Sequence, residues 1–132
     1  MGFITEKMLN TYERADSKAL CDAIIEGMQE NKAKEIVLLD LREIPGAVCQ
    51  FFVICSGDSS TQVEGISSAV MRNTRKELKE KPWHTEGKTN SEWVLLDYID
   101  VVVHIFYRET RSFYDLEDLW ADAIRTDIPT LN

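Results

Sequence analysis

What this 132-residue chain has little of already restricts it. Basic residues are scarce: 15 Lys and Arg stand against 23 Asp and Glu, giving a formal charge of −8 and a pI near 4.7. Non-specific nucleic-acid affinity comes mainly from Lys and Arg displacing counterions, so broad binding to phosphate backbones is disfavoured and little direct nucleic-acid contact is expected. An acidic surface suits solubility or a basic protein partner. Only three cysteines occur, Cys21, Cys49 and Cys55, with no CxxC pair and no even set. Cys49 and Cys55 lie along what reads as one strand, roughly 20 Å apart when extended, too far for a disulfide. Reduced thiols in a cytoplasmic protein are the simplest reading. No apolar run reaches the ~18 residues of a membrane span. The first residues carry no signal-peptide pattern, and MGFITE has Glu6 where a myristoylation site needs Ser or Thr.

Hydrophobic residues make up 44% of the chain, an ordinary share for a globular domain. The length fits one domain, which buries roughly two thirds of its unfolded surface. Residues 1–16 have no clear period and read as a lead-in, with the domain over 17–132. Asp16-Ser17 is placed to cap a helix whose face carries Leu20, Ala23, Ile24, Gly27 and Met28. Glu35–Leu41 and Gln50–Cys55 are short apolar runs suited to buried strands, with the Pro45-Gly46 turn between them. Ser59 and Gln62 then form the pattern of a capping box. They open a long helix with Val63, Ile66, Val70 and Leu78 inward, which ends at Pro82. Trp83–Glu86 begins another strand.

The richest stretch is SEWVLLDYIDVVVHIFYRETRSFYDLEDLW, residues 91–120. Trp93–Leu96 and Val101–Phe106 read as adjacent strands joined by a tight turn, the second buried on both faces. Phe113, Leu116, Leu119 and Trp120 follow at helical spacing. The expected order is α-β-β-α-β-β-β-α: a single α/β domain with a mixed sheet of about five strands and helices packed against it.

No catalytic set stands out. Gly57-Asp58-Ser59-Ser60 joins a strand to a helix as an anion-binding turn would, but without GxxxxGK[ST] or GxGxxG it also reads as plain capping. Asp97 and Asp100 are three residues apart across a turn. A metal-binding D-x-D would put both carboxylates on one strand face, so turn formation is the competing reading. His84 and His104 sit in no Cys/His ligand spacing, and no Ser, Cys or Lys has a base at motif spacing. Alternation puts Trp93, Leu95 and Asp97 on one strand face. An outward aromatic beside acids suits a binding hot spot, and a face covered by a helix accounts for it equally well.

Taken in order, FFVICSGDSSTQVEGIS, the TEG at Thr85–Gly87, EWVLLDYIDVVVHIF and RSFYDLEDLW resemble the ribosomal silencing factors, the RsfS or Iojap family, over roughly Lys18 to Ala123. The resemblance implies a minimal nucleotidyltransferase-like α/β domain without a working metal site, hence no catalysis, cofactor or metal. It implies binding to the large ribosomal subunit through the conserved protein numbered fourteen on the intersubunit face. Small-subunit joining would then be blocked sterically, and translation lowered when nutrients are short. It carries over Trp93, Leu95, Asp97, Tyr98 and Asp100, with Glu86, as contacts to a basic ribosomal protein. Free members of the family often look dimeric, and a generic dimerisation module whose Trp93 face pairs with its own copy as a homodimer is a second alternative. Many relatives have Gly at the third position of the Asp-Tyr-x-Asp turn, where this chain has Ile99. A β-branched residue disfavours positive φ, so a type I-like turn is expected. The alternative is a nucleotidyltransferase-like enzyme using Gly57–Ser60 for a triphosphate and Asp97 with Asp100 for magnesium.

Overall fold

Two strands without a polar stripe form the middle of the molecule. β2 (Phe51–Gly57) is buried throughout and β5 (Val101–Tyr107) nearly so. They pair in parallel from Phe51 opposite Val101 to Gly57 opposite Tyr107. Strands covered on both faces need this near-continuous apolar character. The computed structural model describes residues 16–130; the expected lead-in lies outside them except for Asp16.

Around the central pair the chain runs α1 (Ser17–Glu30), β1 (Lys34–Asp40), β2, α2 (Ser60–Leu78), β3 (His84–Glu86), β4 (Trp93–Asp97) and β5. Then follow α3 (Arg108–Tyr114), α4 (Leu116–Leu119) and β6 (Ile124–Ile128). The sheet order is β3-β4-β5-β2-β1-β6, and every pairing other than β2–β5 is antiparallel. The mixed α/β sheet is as expected, with one strand more. β6 was missed because its alternation is short, polar residues fill half of it, and Pro129 follows at once.

α1 and α2 cover one face of the sheet. Ile24, Met28, Val63, Ile66 and Val70 meet Phe51, Val53, Cys55, Val94, Leu96, Val103 and Ile105 there. The helices cross closely at Gly27, where a Cβ would lie 2.7 Å from Val70 Cα. Asn73 Nδ2 donates to Ala23 O across the same crossing at 2.7 Å. Ser59 caps α2, its hydroxyl accepting from the Gln62 amide at 3.1 Å. The box is not reciprocal: Gln62 Oε1 accepts from the Asp58 amide at 2.7 Å. Gln62 Nε2 donates to Asn31 O and Lys32 O, tying the start of α2 to the α1–β1 turn.

The other sheet face carries a second, smaller core of Val37, Leu39, Phe52, Ile54, Val102 and Phe106, closed by Leu116 and partly by Trp120. Here the expected helical stripe fails. Asp115 takes the left-handed conformation, φ 46°, and splits the segment into two short helices. Leu116 is buried while Phe113 and Leu119 are 81% and 73% exposed. Arg111 holds this arrangement together. Its buried guanidinium donates to Glu117 Oε2 at 2.9 and 3.1 Å, to Glu35 O at 2.7 Å and to Ser56 Oγ at 3.3 Å. That polar tie fixes α4 against β1 and β2, which apolar periodicity could not reveal.

The three cysteines are free. Cys49 lies before β2 rather than on it, and burial pushes the Cys21 and Cys55 thiols up to about 12. Among the described residues no helix is long and apolar enough to cross a membrane.

Candidate contact face on β4 and its turn

Alternation along β4 decides which side chains turn outward from the helix-covered core. Val94 and Leu96 enter that core, and Trp93, Leu95 and Asp97 point to the opposite face, each half-buried. Register adds a fourth residue. Glu86 on β3 lies opposite Leu95, so its exposed carboxylate stands beside the leucine on the same face. His84, opposite Asp97, approaches Glu86 with Nε2 3.4 Å from Oε1. The β3–β4 connection depends on Gly87, at φ 81°, where a Cβ would run into the Trp93 carbonyl.

Trp93 is braced by aromatic neighbours. Its ring centroid lies 4.9 Å from Phe106 and 4.7 Å from Tyr114, both in tilted contact. Its indole Nε1 donates to His104 Nδ1 at 3.1 Å. That bond assigns His104 the tautomer with its proton on Nε2, a buried atom without a hydrogen-bond partner. Burial lowers the His104 pKa to about 4, so the ring is a neutral acceptor at physiological pH. Sequence spacing singled out Trp93 and missed this role of His104, because the pair is made by register between β4 and β5.

The turn after β4 departs from expectation. Ile99 has φ 77°, and the Asp100 amide donates to Tyr98 O at 3.0 Å across it. This is a positive-φ γ-turn, a strained form, rather than the type I-like turn that the β-branched side chain suggested. Tertiary anchors override the preference. Tyr98 N donates to Val101 O at 2.9 Å and the Ile99 amide donates to Asp97 Oδ1 at 2.8 Å. Asp100 O accepts from Gln50 N and Phe51 N at 2.8 and 3.1 Å.

Tyr98 does not join the outward set. It is 4% exposed, packs in the helix-side core, and its hydroxyl shares a 2.9 Å hydrogen bond with Thr74 on α2. Burial pushes its pKa up to about 12. As a contact residue Tyr98 is therefore corrected: it pins the turn to α2 from behind. Trp83, 78% exposed, had no such assignment, yet its amide donates to Asp97 O at 2.7 Å and so places it at the turn. Nothing in the sequence signalled it, since the three residues of β3 give no period. Trp83 and Ile99 are thus both exposed near the turn that carries Asp97 and Asp100.

The strand-to-helix turn at Gly57–Ser60 has a different environment. Asp58, Ser59, Ser60, Asn90, Glu92 and Tyr107 line the depression there, and Arg108 Nη1 lies 3.9 Å from Asp58 Oδ1. Among the described residues no group of three His, Cys, Asp or Glu is placed to hold a metal ion.

Known proteins resemble this chain in sequence and in fold. Residues 14–132 match the family described as "Ribosomal silencing factor during starvation". A "Ribosomal silencing factor RsfS" from Halalkalibacterium halodurans is 34% identical over 107 residues, 81% of this chain and 90% of the relative. The chloroplastic protein Iojap of Zea mays is 35% identical over 119 residues, covering 87% of this chain and 51% of that protein. Among solved structures, a crystal structure of a Chromobacterium violaceum protein superposes with a TM-score of 0.76 at 32% identity, covering 81% of this chain and 88% of that one.

Proposed function

The chain belongs to the ribosomal silencing factor family, and on that premise we propose that it acts by occlusion. It binds the large ribosomal subunit in the cytoplasm through the basic protein numbered fourteen on the intersubunit face. There it blocks small-subunit joining and represses translation under nutrient limitation, without catalysis. The observation that carries this reading is the outward set on β4 and β3: Trp93, Leu95, Asp97 and Glu86 share one face, with Asp100 at the adjoining turn. An aromatic braced on three sides, beside carboxylates, has the composition of a hot spot for a basic partner. The rigid bracing lowers the entropy lost on binding.

A triphosphate enzyme is the weaker reading. Asp97 spends its Oδ1 on the Ile99 amide, and the turn at Gly57–Ser60 carries the side-chain cap of α2.

The test is co-sedimentation with separated large and small subunits, then with both mixed. The protein should pellet with the large subunit alone and reduce joined ribosomes. Trp93→Ala should weaken pelleting by roughly thirtyfold or more, the scale of a hot-spot truncation. Because Trp93 also packs on Phe106, Glu86→Lys serves as the second variant: its exposed charge reversal should weaken binding with an unchanged melting curve. Binding that both variants leave intact overturns the site, and no pelleting with either subunit overturns the function.

A further inference from the structure

We propose that the solvent face of α2, with Trp83 beyond its end, is a contact for the phosphate backbone of structured RNA. The inference rests on the ribosome-binding reading and adds an RNA surface to the protein contact made by β4. α2 covers the sheet face opposite to that of Trp93, so the two contacts do not compete for one surface.

A net charge of −8 averages over the whole chain, and the bases are not spread evenly. Residues 72–81 hold five of the 15 Lys and Arg, with two acids among them. Val63, Ile66, Val70 and Thr74 are the buried side of the helix. Helical spacing puts Arg72, Arg75, Lys76 and Lys79 on the opposite side, and all four are exposed. Arg72 meets Glu30 at 3.6 Å, with both side chains more than half exposed. Among the described residues Arg75, Lys76, Lys79 and Lys81 have no ion pair.

Two features separate this stripe from an ordinary solvated face. Arg72 and Lys76 stand four residues apart, as do Arg75 and Lys79, and like charges at that spacing destabilise a helix. A polyanion laid along the stripe removes that repulsion. The helix dipole accounts for Arg75 and Lys76 in the last turn, but not for Arg72 or Lys81. The second feature is Trp83, which is 78% exposed. Its amide donates to Asp97 O at 2.7 Å and Pro82 precedes it, so the backbone is held while the ring stays open. An exposed aromatic beside a basic stripe suits base stacking next to a backbone contact. From Arg72 to Lys79 the stripe runs roughly 10 Å, enough to meet several phosphates of one strand. A membrane surface fits less well, because α2 spends its apolar side on the core and leaves none for lipid.

The test is the salt dependence of large-subunit co-sedimentation. The triple variant Arg75→Gln/Lys76→Gln/Lys79→Gln should bind at least roughly tenfold more weakly, with the slope of log affinity against log salt shallower by about 2. Trp83→Ala should weaken binding by about tenfold with little change of slope. All four residues are exposed, so melting curves should not fall. Hydroxyl-radical footprinting at saturating protein identifies the occupant: wild type should protect a stretch of ribosomal RNA backbone that the triple variant leaves open. Unchanged affinity and slope in the triple variant overturn the RNA contact, and leave occlusion standing if Trp93→Ala still weakens pelleting. A weakened triple variant with no RNA protected by wild type assigns the stripe to an acidic protein and overturns the proposal equally. So does stripe-dependent flotation with phosphatidylserine vesicles in place of RNA protection. Wild type that pellets with neither subunit overturns both readings.

Discussion

At Ile99 a β-branched side chain sits on a backbone held at φ 77°, so glycine there should stabilise the protein while removing apolar surface. A residue held in a sparsely populated region costs about 1–3 kcal/mol, and glycine relieves that cost because it has no Cβ. Against the gain stand about 0.5–1 kcal/mol of extra unfolded-chain entropy for glycine and the lost packing of the side chain. The packing loss is small, since Ile99 is 47% exposed. The net expectation for Ile99→Gly is a gain of about 1 kcal/mol, or about 3–4 °C in melting temperature for a domain of this size. Ile99→Ala is the control: it shortens the side chain and keeps the Cβ, so it should show no gain. Urea and thermal unfolding of the three proteins measure this directly. Ile99→Gly no more stable than Ile99→Ala would refute the strain assignment. Large-subunit co-sedimentation of the same variants separates the second role of this residue. Stability raised with affinity lowered means that the Ile99 side chain touches the partner.

Other consequences follow from the same structure. Tyr98→Phe removes the buried bond to Thr74 and should cost about 1 kcal/mol in urea unfolding, with the hairpin still formed. His104 is held near 4, below its ordinary 6.5, so the unfolded chain binds more protons between those values. Stability should therefore be fully present above pH 6.5 and fall as pH drops toward 4, by up to about 3 kcal/mol from this group. His104→Phe should remove that limb, seen as a shrinking difference from wild type as pH falls. Arg111→Met breaks a buried pair with Glu117 and frees the Glu35 carbonyl, which should cost about 3–5 kcal/mol. Adding Glu117→Gln should recover part of that loss in a double-mutant cycle.

Much of the architecture was legible because it is written in local periods. Leu20, Ile24 and Met28 at helical spacing became the buried face of α1, and the unbroken apolar run of β5 became a strand covered on both sides. Ser59 before Gln62 was enough to locate the start of α2. The outward direction of Trp93 and Leu95 followed from alternation once Val94 and Leu96 were taken as core. Short elements escaped. β6 has too few residues to distinguish alternation from chance, and Arg111 joins three segments that are far apart in sequence.

The candidate face divides along the same line. Which residue types crowd around the Asp-Tyr-Ile-Asp turn was plain from the amino-acid order, as was the placing of aromatic and acidic groups at alternate positions of β4. What each of them does depends on long-range contacts. The Thr74 hydroxyl on α2 draws Tyr98 into the core, and register with β5 gives Trp93 its bond to His104. Anchors on both sides of the turn drive Ile99 into a conformation that its own sterics oppose. Local preferences of about 1 kcal/mol lose wherever several long-range hydrogen bonds and a packed core converge on one backbone path.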